Sequence, residues 1–167
     1  YQLGGGVNRE AGFFGRQEII AHIMNRDPAN YLVMGGRQLG KSSLLKALER
    51  RYAEQPNVSC LSLTLSNEVL MPRLASALAL PHRAGLEEIA AHVAHMDRRF
   101  LFLIDEADKF VRHELEHAYP TLETLRRMSE EGHCNFILAG FWELYEQAVL
   151  DYRSPLKNFA EIIQLGA

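Results

Sequence analysis

The sequence contains very little cysteine, with only Cys60 and Cys134 among its 167 residues. The two lie far apart, and each stands within an apolar segment, so they match neither the paired spacing of a zinc site nor a disulfide scaffold. We expect both to be small buried side chains in a reducing compartment. This favours a cytoplasmic protein.

Long apolar runs and an excess of positive charge are also missing. No run reaches the roughly 20 residues that a transmembrane helix needs, and the first residues lack the apolar centre of a signal peptide. Eighteen Lys and Arg residues against 21 Asp and Glu give a net charge of −3, so no global field attracts nucleic acid. Two short pairs, Arg98-Arg99 and Arg126-Arg127, leave a local contact with nucleic acid open but not indicated.

What remains is the composition of one ordinary globular domain, 47% hydrophobic and 23% charged. Residues 1–12 carry four glycines and no periodicity, which predicts a flexible lead-in. We expect residues 13–167 to fold as one core domain. The sequence stops almost as its last predicted strand ends, which favours a domain cut from a longer, multidomain protein.

A phosphate-binding loop is the most informative motif. Residues 35–42 fit the pattern G-x-x-x-x-G-K-[ST]. The apolar residues 31–34 before it are typical of a buried parallel strand. From Ser42 to Tyr52, apolar residues recur at helical spacing. A strand, a glycine-rich loop and a helix are the context that this motif requires.

The pattern also predicts chemical roles. Glycines let consecutive N–H groups converge on a phosphate, and the helix N-terminus adds its positive dipole. Lys41 would reach the outer phosphates, and the Ser42 hydroxyl would ligate Mg²⁺. The predicted nucleotide-binding residues of this loop are Gly35, Gly36, Arg37, Gln38, Leu39, Gly40, Lys41, Ser42 and Ser43.

Two carboxylates follow a second buried strand. Residues 100–104 are all apolar, and Asp105 and Glu106 come next, about sixty residues after the phosphate loop. Because ligands bind at the carboxyl ends of strands in open parallel sheets, both acids are expected at the nucleotide edge. Asp105 is predicted to help hold Mg²⁺, and Glu106 to orient the attacking water. Asp108 is expected only to begin the next helix, where an acid suits the dipole.

Two further stretches carry competing interpretations. Phe13-Phe14-Gly15-Arg16 is either core plus surface or an apolar lip for a nucleotide base. His113, Glu114 and His117 match the H-E-x-x-H pattern of zinc proteases. A third ligand is not signalled, since Glu130, Glu131 and Glu143 are candidates without a pattern. The ordinary interpretation of the His-Glu segment is a charged, solvated helix.

The spacing of apolar residues in the rest of the sequence predicts further helices and strands. Helices are expected over 17–24, 67–80, 86–96, 121–131 and 142–150, with Thr121 as a cap, and strands over 58–65, 135–139 and 162–165.

Together, the phosphate loop, the Asp-Glu pair and the strand over 135–139 resemble the additional-strand P-loop ATPases, which include the AAA+ and STAND proteins. The opening FFGR–helix–GGRQLGKSSLL is similar to prokaryotic STAND-type or origin-recognition-like ATPases. The resemblance implies a three-layer α/β fold in which helices flank a five-stranded parallel sheet of order 5-1-4-3-2. The helical lid that normally follows is absent from this sequence.

The same resemblance implies ATP as the nucleotide, Mg²⁺ as the cofactor, and Phe14, Gly15 and Arg16 near adenine. These ATPases usually carry a polar sensor residue after the fourth strand, where this sequence has Ala139-Gly140-Phe141. Arg153 lies in the region of their arginine finger, and a surface role is equally open. The functional hypothesis is an ATP-hydrolysing regulatory module that acts on neighbouring domains or on other copies. The alternatives are a nucleotide-binding switch with little hydrolysis, a small-molecule kinase, and the zinc protease.

Overall fold

The computed structural model describes residues 13–35, 40–65, 70–141, 144, 146 and 150–165. Its strands are β1 (Phe13–Phe14), β2 (Tyr31–Met34), β3 (Val58–Thr64), β4 (Arg99–Asp105), β5 (Cys134–Gly140) and β6 (Glu161–Leu165). Its α-helices are α1 (Arg16–Met24), α2 (Lys41–Tyr52), α3 (Met71–Ala77), α4 (Leu86–His95), α5 (Asp108–Glu116) and α6 (Pro120–Glu130). A 3₁₀ turn spans Pro155–Asn158.

All six strands form one parallel sheet in the order β1-β6-β2-β5-β4-β3. The five longer strands, numbered along the chain, have the order 5-1-4-3-2, which confirms the predicted fold. The two-residue β1 was not predicted. It extends the edge beside β6, where Phe13 pairs with Gln164.

Helices cover both faces of the sheet, because each buried strand sends alternate side chains to opposite sides. On β4, Leu101 and Leu103 join the core formed with α1 and α2. Phe100 and Phe102 join the core formed with α3 to α6. The continuous apolar run in β4 is therefore explained by burial on two faces.

The order of the strands positions the candidate site. β2 lies between β5 and β6, and β5 separates it from β4. Since all the strands are parallel, the residues that end β2, β4 and β5 meet at one edge of the sheet. These are Met34, Asp105 and Gly140. Along the described part of the chain, no helix is long and apolar enough to cross a membrane.

The predicted elements differ from the structure mainly at helix ends. α3 begins at Met71, and the first residues of the predicted helix over 67–80 lie outside the described residues. Most of the helix predicted over 142–150 also lies outside them. The prediction that Thr121 caps α6 is wrong. α6 begins at Pro120, which suits the first position because it has no N–H to satisfy.

Candidate nucleotide-binding site

The phosphate-loop helix begins directly at the loop's lysine. Gly40 precedes it with φ +80°, a left-handed conformation that glycine adopts without steric cost. The Gly40 carbonyl accepts the Leu44 N–H at 2.9 Å and so starts α2. The helix therefore points its N-terminal N–H groups toward the space beyond β2. Residues 36–39, which include Gly36, Arg37, Gln38 and Leu39, lie outside the described residues.

Lys41 is buried although it carries a charge, with 5% of its surface exposed. Its Nζ donates to the Gly35 carbonyl at 2.8 Å. The same Nζ lies over the Phe141 ring, 3.6 Å from the centroid. A carbonyl and a ring hold the ammonium group without carrying a formal negative charge.

Ser42 and Asp105 form the contact between the two motifs. The Ser42 Oγ donates to Asp105 Oδ2 at 2.5 Å. Asp105 is 9% exposed, and its Oδ1 accepts the Glu106 N–H at 2.9 Å. A hydroxyl and a carboxylate oxygen form the kind of donor set that Mg²⁺ takes from protein, the remaining ligands being water and phosphate oxygens. The donor chemistry of this pair therefore fits the metal that the motif implies.

Glu106 has a left-handed backbone, with φ +54°. This conformation is costly for a residue with a side chain, and such strain is concentrated at functional sites. The Ala107 N–H donates to the Ala139 carbonyl at 3.0 Å, and this hydrogen bond ties the turn at Glu106 to β5. Glu106 is exposed, and it borders the same cleft as Lys41.

These residues surround a cleft of about 310 Å³. Its described lining consists of Gly40, Lys41, Ser42, Ser43, Asp105, Glu106, Gly140 and Phe141. The volume lies at the lower end of the range of small-molecule sites, roughly 300–1,000 Å³. The cleft combines a cation, N–H donors of a helix start and two carboxylates, which is a chemistry suited to a phosphate chain with a metal ion.

Sequence reasoning missed the part played by Asp108. Its Oδ1 and Oδ2 accept the Phe141 N–H at 2.8 and 3.0 Å, and its Oδ1 also accepts the Leu144 N–H at 3.3 Å. A Cβ on Gly140 would lie 2.8 Å from Asp108 Oδ2, so the contact requires glycine there. The Asp-Glu-Ala-Asp string together with a glycine ending β5 was the available signal.

Comparison with known proteins decides the family. A family model described as an AAA domain matches residues 24–147, which is more than half of the chain. The chain belongs to the AAA domain family. No curated protein matches it in sequence.

Solved structures show the same fold at low sequence identity. The Orc1 protein of Aeropyrum pernix, solved in complex with DNA, is 14% identical with a TM-score of 0.68, over 94% of this chain and 44% of that one. Cdc6p of Pyrobaculum aerophilum is 16% identical with a TM-score of 0.55, over 89% and 43%. PCH-2 of C. elegans is 14% identical with a TM-score of 0.55, over 91% and 42%. The chain spans less than half the length of these proteins.

The first residue of α1 contacts the phosphate-loop helix of this AAA domain. Arg16 Nη2 donates to the Ser43 carbonyl at 3.1 Å, and Gly15 is the residue before α1. The Phe14 backbone pairs with Leu165 in β6. Arg16 therefore lies near the start of α2. The adenine contacts themselves stay a prediction.

Arg153 does not lie among the described residues that line the cleft. Its side chain is 72% exposed, and its backbone N–H donates to Asp151 Oδ1 at 3.0 Å. That N–H is the main reason why the pKa of Asp151 is lowered. The Tyr119 hydroxyl donates to Asp151 Oδ2 at 2.9 Å, and burial raises the pKa of Tyr119 to about 12. Arg153 is thus an exposed arginine on an anchored loop.

The H-E-x-x-H segment is arranged differently from a metal-binding helix. Glu114 is 2% exposed, and its Oε1 accepts the Leu122 N–H at 2.7 Å, which stabilises the start of α6. His113 and His117 stack at the surface, 4.2 Å between ring centroids. The described residues contain no group of three or more potential metal ligands. The glutamate of this segment is used to join two helices and is not presented to a substrate.

The arginine pairs make contacts within the domain. Arg99 donates to Asn135 Oδ1 at 2.7 Å and lies half-buried. Arg98 donates to the Pro56 carbonyl at 3.2 Å. Arg126 pairs with Glu130, and Arg127 with Glu87. These contacts do not favour a nucleic-acid surface on either pair.

Proposed function

We propose that this AAA domain binds ATP with Mg²⁺ and hydrolyses it, and that its nucleotide state controls partner domains of a larger AAA+ or STAND-type protein. The observation that carries the proposal is the Ser42–Asp105 contact beside Lys41 in one cleft. It joins the phosphate loop to the Asp-Glu pair, the two halves that phosphoryl transfer requires. Residues 13–167 would be the ATPase core, and we propose a cytoplasmic location, which the two isolated thiols favour.

Each residue has a role that follows from its position. Lys41 neutralises charge on the β- and γ-phosphates, and the N-terminus of α2 donates N–H groups to them. Ser42 and Asp105 would hold Mg²⁺, which neutralises phosphate charge when bound. Glu106 accepts a hydrogen bond from water and orients it toward the γ-phosphate. Arg153, exposed on its loop, would act on a neighbouring copy's nucleotide.

The first test is isothermal titration of ATP, ADP and GTP with Mg²⁺ into the purified chain. We expect ATP and ADP to bind, and Lys41→Ala to abolish binding. Lys46→Ala is the matched control, because Lys46 is an exposed lysine on the same helix. If the wild-type chain binds neither nucleotide, the proposed function is wrong. If Lys46→Ala also abolished binding, the loss in Lys41→Ala could not be assigned to the phosphate loop.

A second candidate is a nucleotide-binding switch with little hydrolysis. The end of β5 favours it, because Phe141 presents an aromatic ring to the cleft and no hydrogen-bonding group. Single-turnover hydrolysis distinguishes the two functions. Tight ATP binding with no measurable product would support the switch.

A further inference from the structure

We infer that Phe141 is a positioning residue, which holds the Lys41 ammonium group at the phosphate end of the cleft through the face of its ring. This inference rests on the proposed nucleotide binding. Phe141, which directly follows β5, affects nucleotide affinity through Lys41 and not by direct contact with phosphate.

The burial of Lys41 supports this role. A buried ammonium group is costly unless its N–H donors find partners. Lys41 Nζ has the Gly35 carbonyl at 2.8 Å and the Phe141 ring centroid at 3.6 Å. The negative face of an aromatic ring attracts a cation most strongly when both are removed from water. The ring therefore fixes the ammonium group without neutralising its charge.

The ring is itself fixed from the backbone. Both carboxylate oxygens of Asp108 accept the Phe141 N–H, and the absence of a Cβ on Gly140 gives Asp108 room to approach. The direction of the Phe141 side chain thus follows from a contact with Asp108, the first residue of α5. In this way the segment that carries Asp105 and Glu106 also controls where Lys41 is held.

Stepwise fluorination of the Phe141 ring tests this role in the whole chain. Each fluorine withdraws electron density from the ring face and changes its volume very little, so packing is preserved. We expect the Kd of Mg·ATP and Mg·ADP to rise with each fluorine, about 3- to 10-fold in total at the trifluoro ring. Because the same contact offsets the burial of Lys41, the unfolding midpoint should fall slightly, and circular dichroism checks that each variant is folded at the temperature of the titration.

Phe159 provides the matched control. It is a buried aromatic residue in the core on one face of the sheet, so its fluorination should leave the Kd unchanged. Two substitutions of Phe141 by standard amino acids complete the set. Phe141→Tyr keeps the ring face and should bind nucleotide nearly as well as wild type. Phe141→Leu removes it and should bind at least as weakly as the trifluoro ring.

The outcomes separate this role from the proposed function. If the chain binds nucleotide and the Kd does not change with the number of fluorines on Phe141, the role of Phe141 is overturned and the nucleotide site stays intact. Tighter binding on fluorination would overturn it as well, because the ring would then compete with phosphate for Lys41. A wild-type chain that binds no nucleotide would overturn the proposed function, and the role of Phe141 with it.

Discussion

The hydroxyl of Ser42 and the carboxylate of Asp105 lie 2.5 Å apart, between the first turn of α2 and the last residue of β4. The two residues belong to separate motifs, and β5 stands between their strands in the sheet. Their contact is possible because the strands are parallel and end at one edge. A hydroxyl and a carboxylate held this close can share one cation.

Asp105→Asn should remove most of the Mg²⁺-dependent part of ATP affinity, because the amide lacks the negative charge that favours the cation. The measurement is the Kd of ATP with Mg²⁺ and with EDTA. In wild type the two values should differ, and in the variant they should converge. Asp97→Asn, an exposed aspartate near the start of the same strand, is the control. An unchanged Mg²⁺ dependence in Asp105→Asn would remove Asp105 from the metal site.

Glu106→Gln should bind ATP like wild type and hydrolyse it more slowly, by about 10²- to 10⁴-fold, because the amide cannot accept a proton from water. The substitution keeps the size of the side chain, so binding should be preserved. Phosphate release under single-turnover conditions measures the effect. Glu116→Gln, an exposed glutamate on α5, should leave the rate unchanged. Normal turnover by Glu106→Gln would show that another group orients the water.

Gly140→Ala should destabilise the fold by about 1–3 kcal/mol and lower the unfolding midpoint by roughly 2–10 °C. The new Cβ would lie 2.8 Å from Asp108 Oδ2 and 3.1 Å from the Leu144 Cβ, so the segment after β5 must move. Thermal unfolding followed by circular dichroism measures the change. At Gly85, an added Cβ meets no described atom within 4 Å, so Gly85→Ala is the control and should have little effect. Equal midpoints for the two variants would contradict the importance of the Asp108 contact.

Glu114→Ala should cost about 1–3 kcal/mol of stability, because it leaves the buried Leu122 N–H without its acceptor. Glu116→Ala, on the exposed face of α5, should cost much less. Denaturant unfolding of both variants measures the difference. Zinc content, determined by elemental analysis of the wild type, addresses the protease hypothesis separately. The protease hypothesis assigns the zinc ligands to His113 and His117, so a stoichiometric zinc ion that is lost in His113→Ala would support a metal site on α5.

The sheet was predictable because its five longer strands are either short apolar runs or, in β3, an alternation of apolar residues with Ser and Thr. The resemblance then supplied the strand order. β1 was not predicted because two residues are too few to show the apolar–polar alternation of a strand. The cleft could be placed from Gly35 to Ser42 and from Asp105 to Glu106, since both motifs lie at strand ends. Of these residues, the structure places Gly40, Lys41, Ser42, Asp105 and Glu106 around one cleft, and their catalytic roles stay predictions.

Long-range polar contacts could not be inferred in the same way. Asp108 and Phe141 are 33 residues apart, and no periodicity links a helix-starting aspartate to a backbone N–H after another strand. Glu114 belongs to a pattern that predicts an exposed glutamate on a metal-binding helix. The left-handed residues Ala118 and Tyr119 turn the chain so that the start of α6 meets this carboxylate. Such turns depend on tertiary packing that a local pattern does not encode.

The pairing of β2 also affects how the chain folds during synthesis on the ribosome. β2 emerges early, but Tyr31 pairs with Ile137 on one side and with Glu161 on the other, more than a hundred residues later. At about 5–20 residues per second, the strand that leads into the phosphate loop waits roughly 5–20 s for its first neighbour. During that interval its apolar side chains are available to chaperones. A nascent chain that stalls before Cys134 would carry the complete phosphate-loop sequence without the sheet that shapes it.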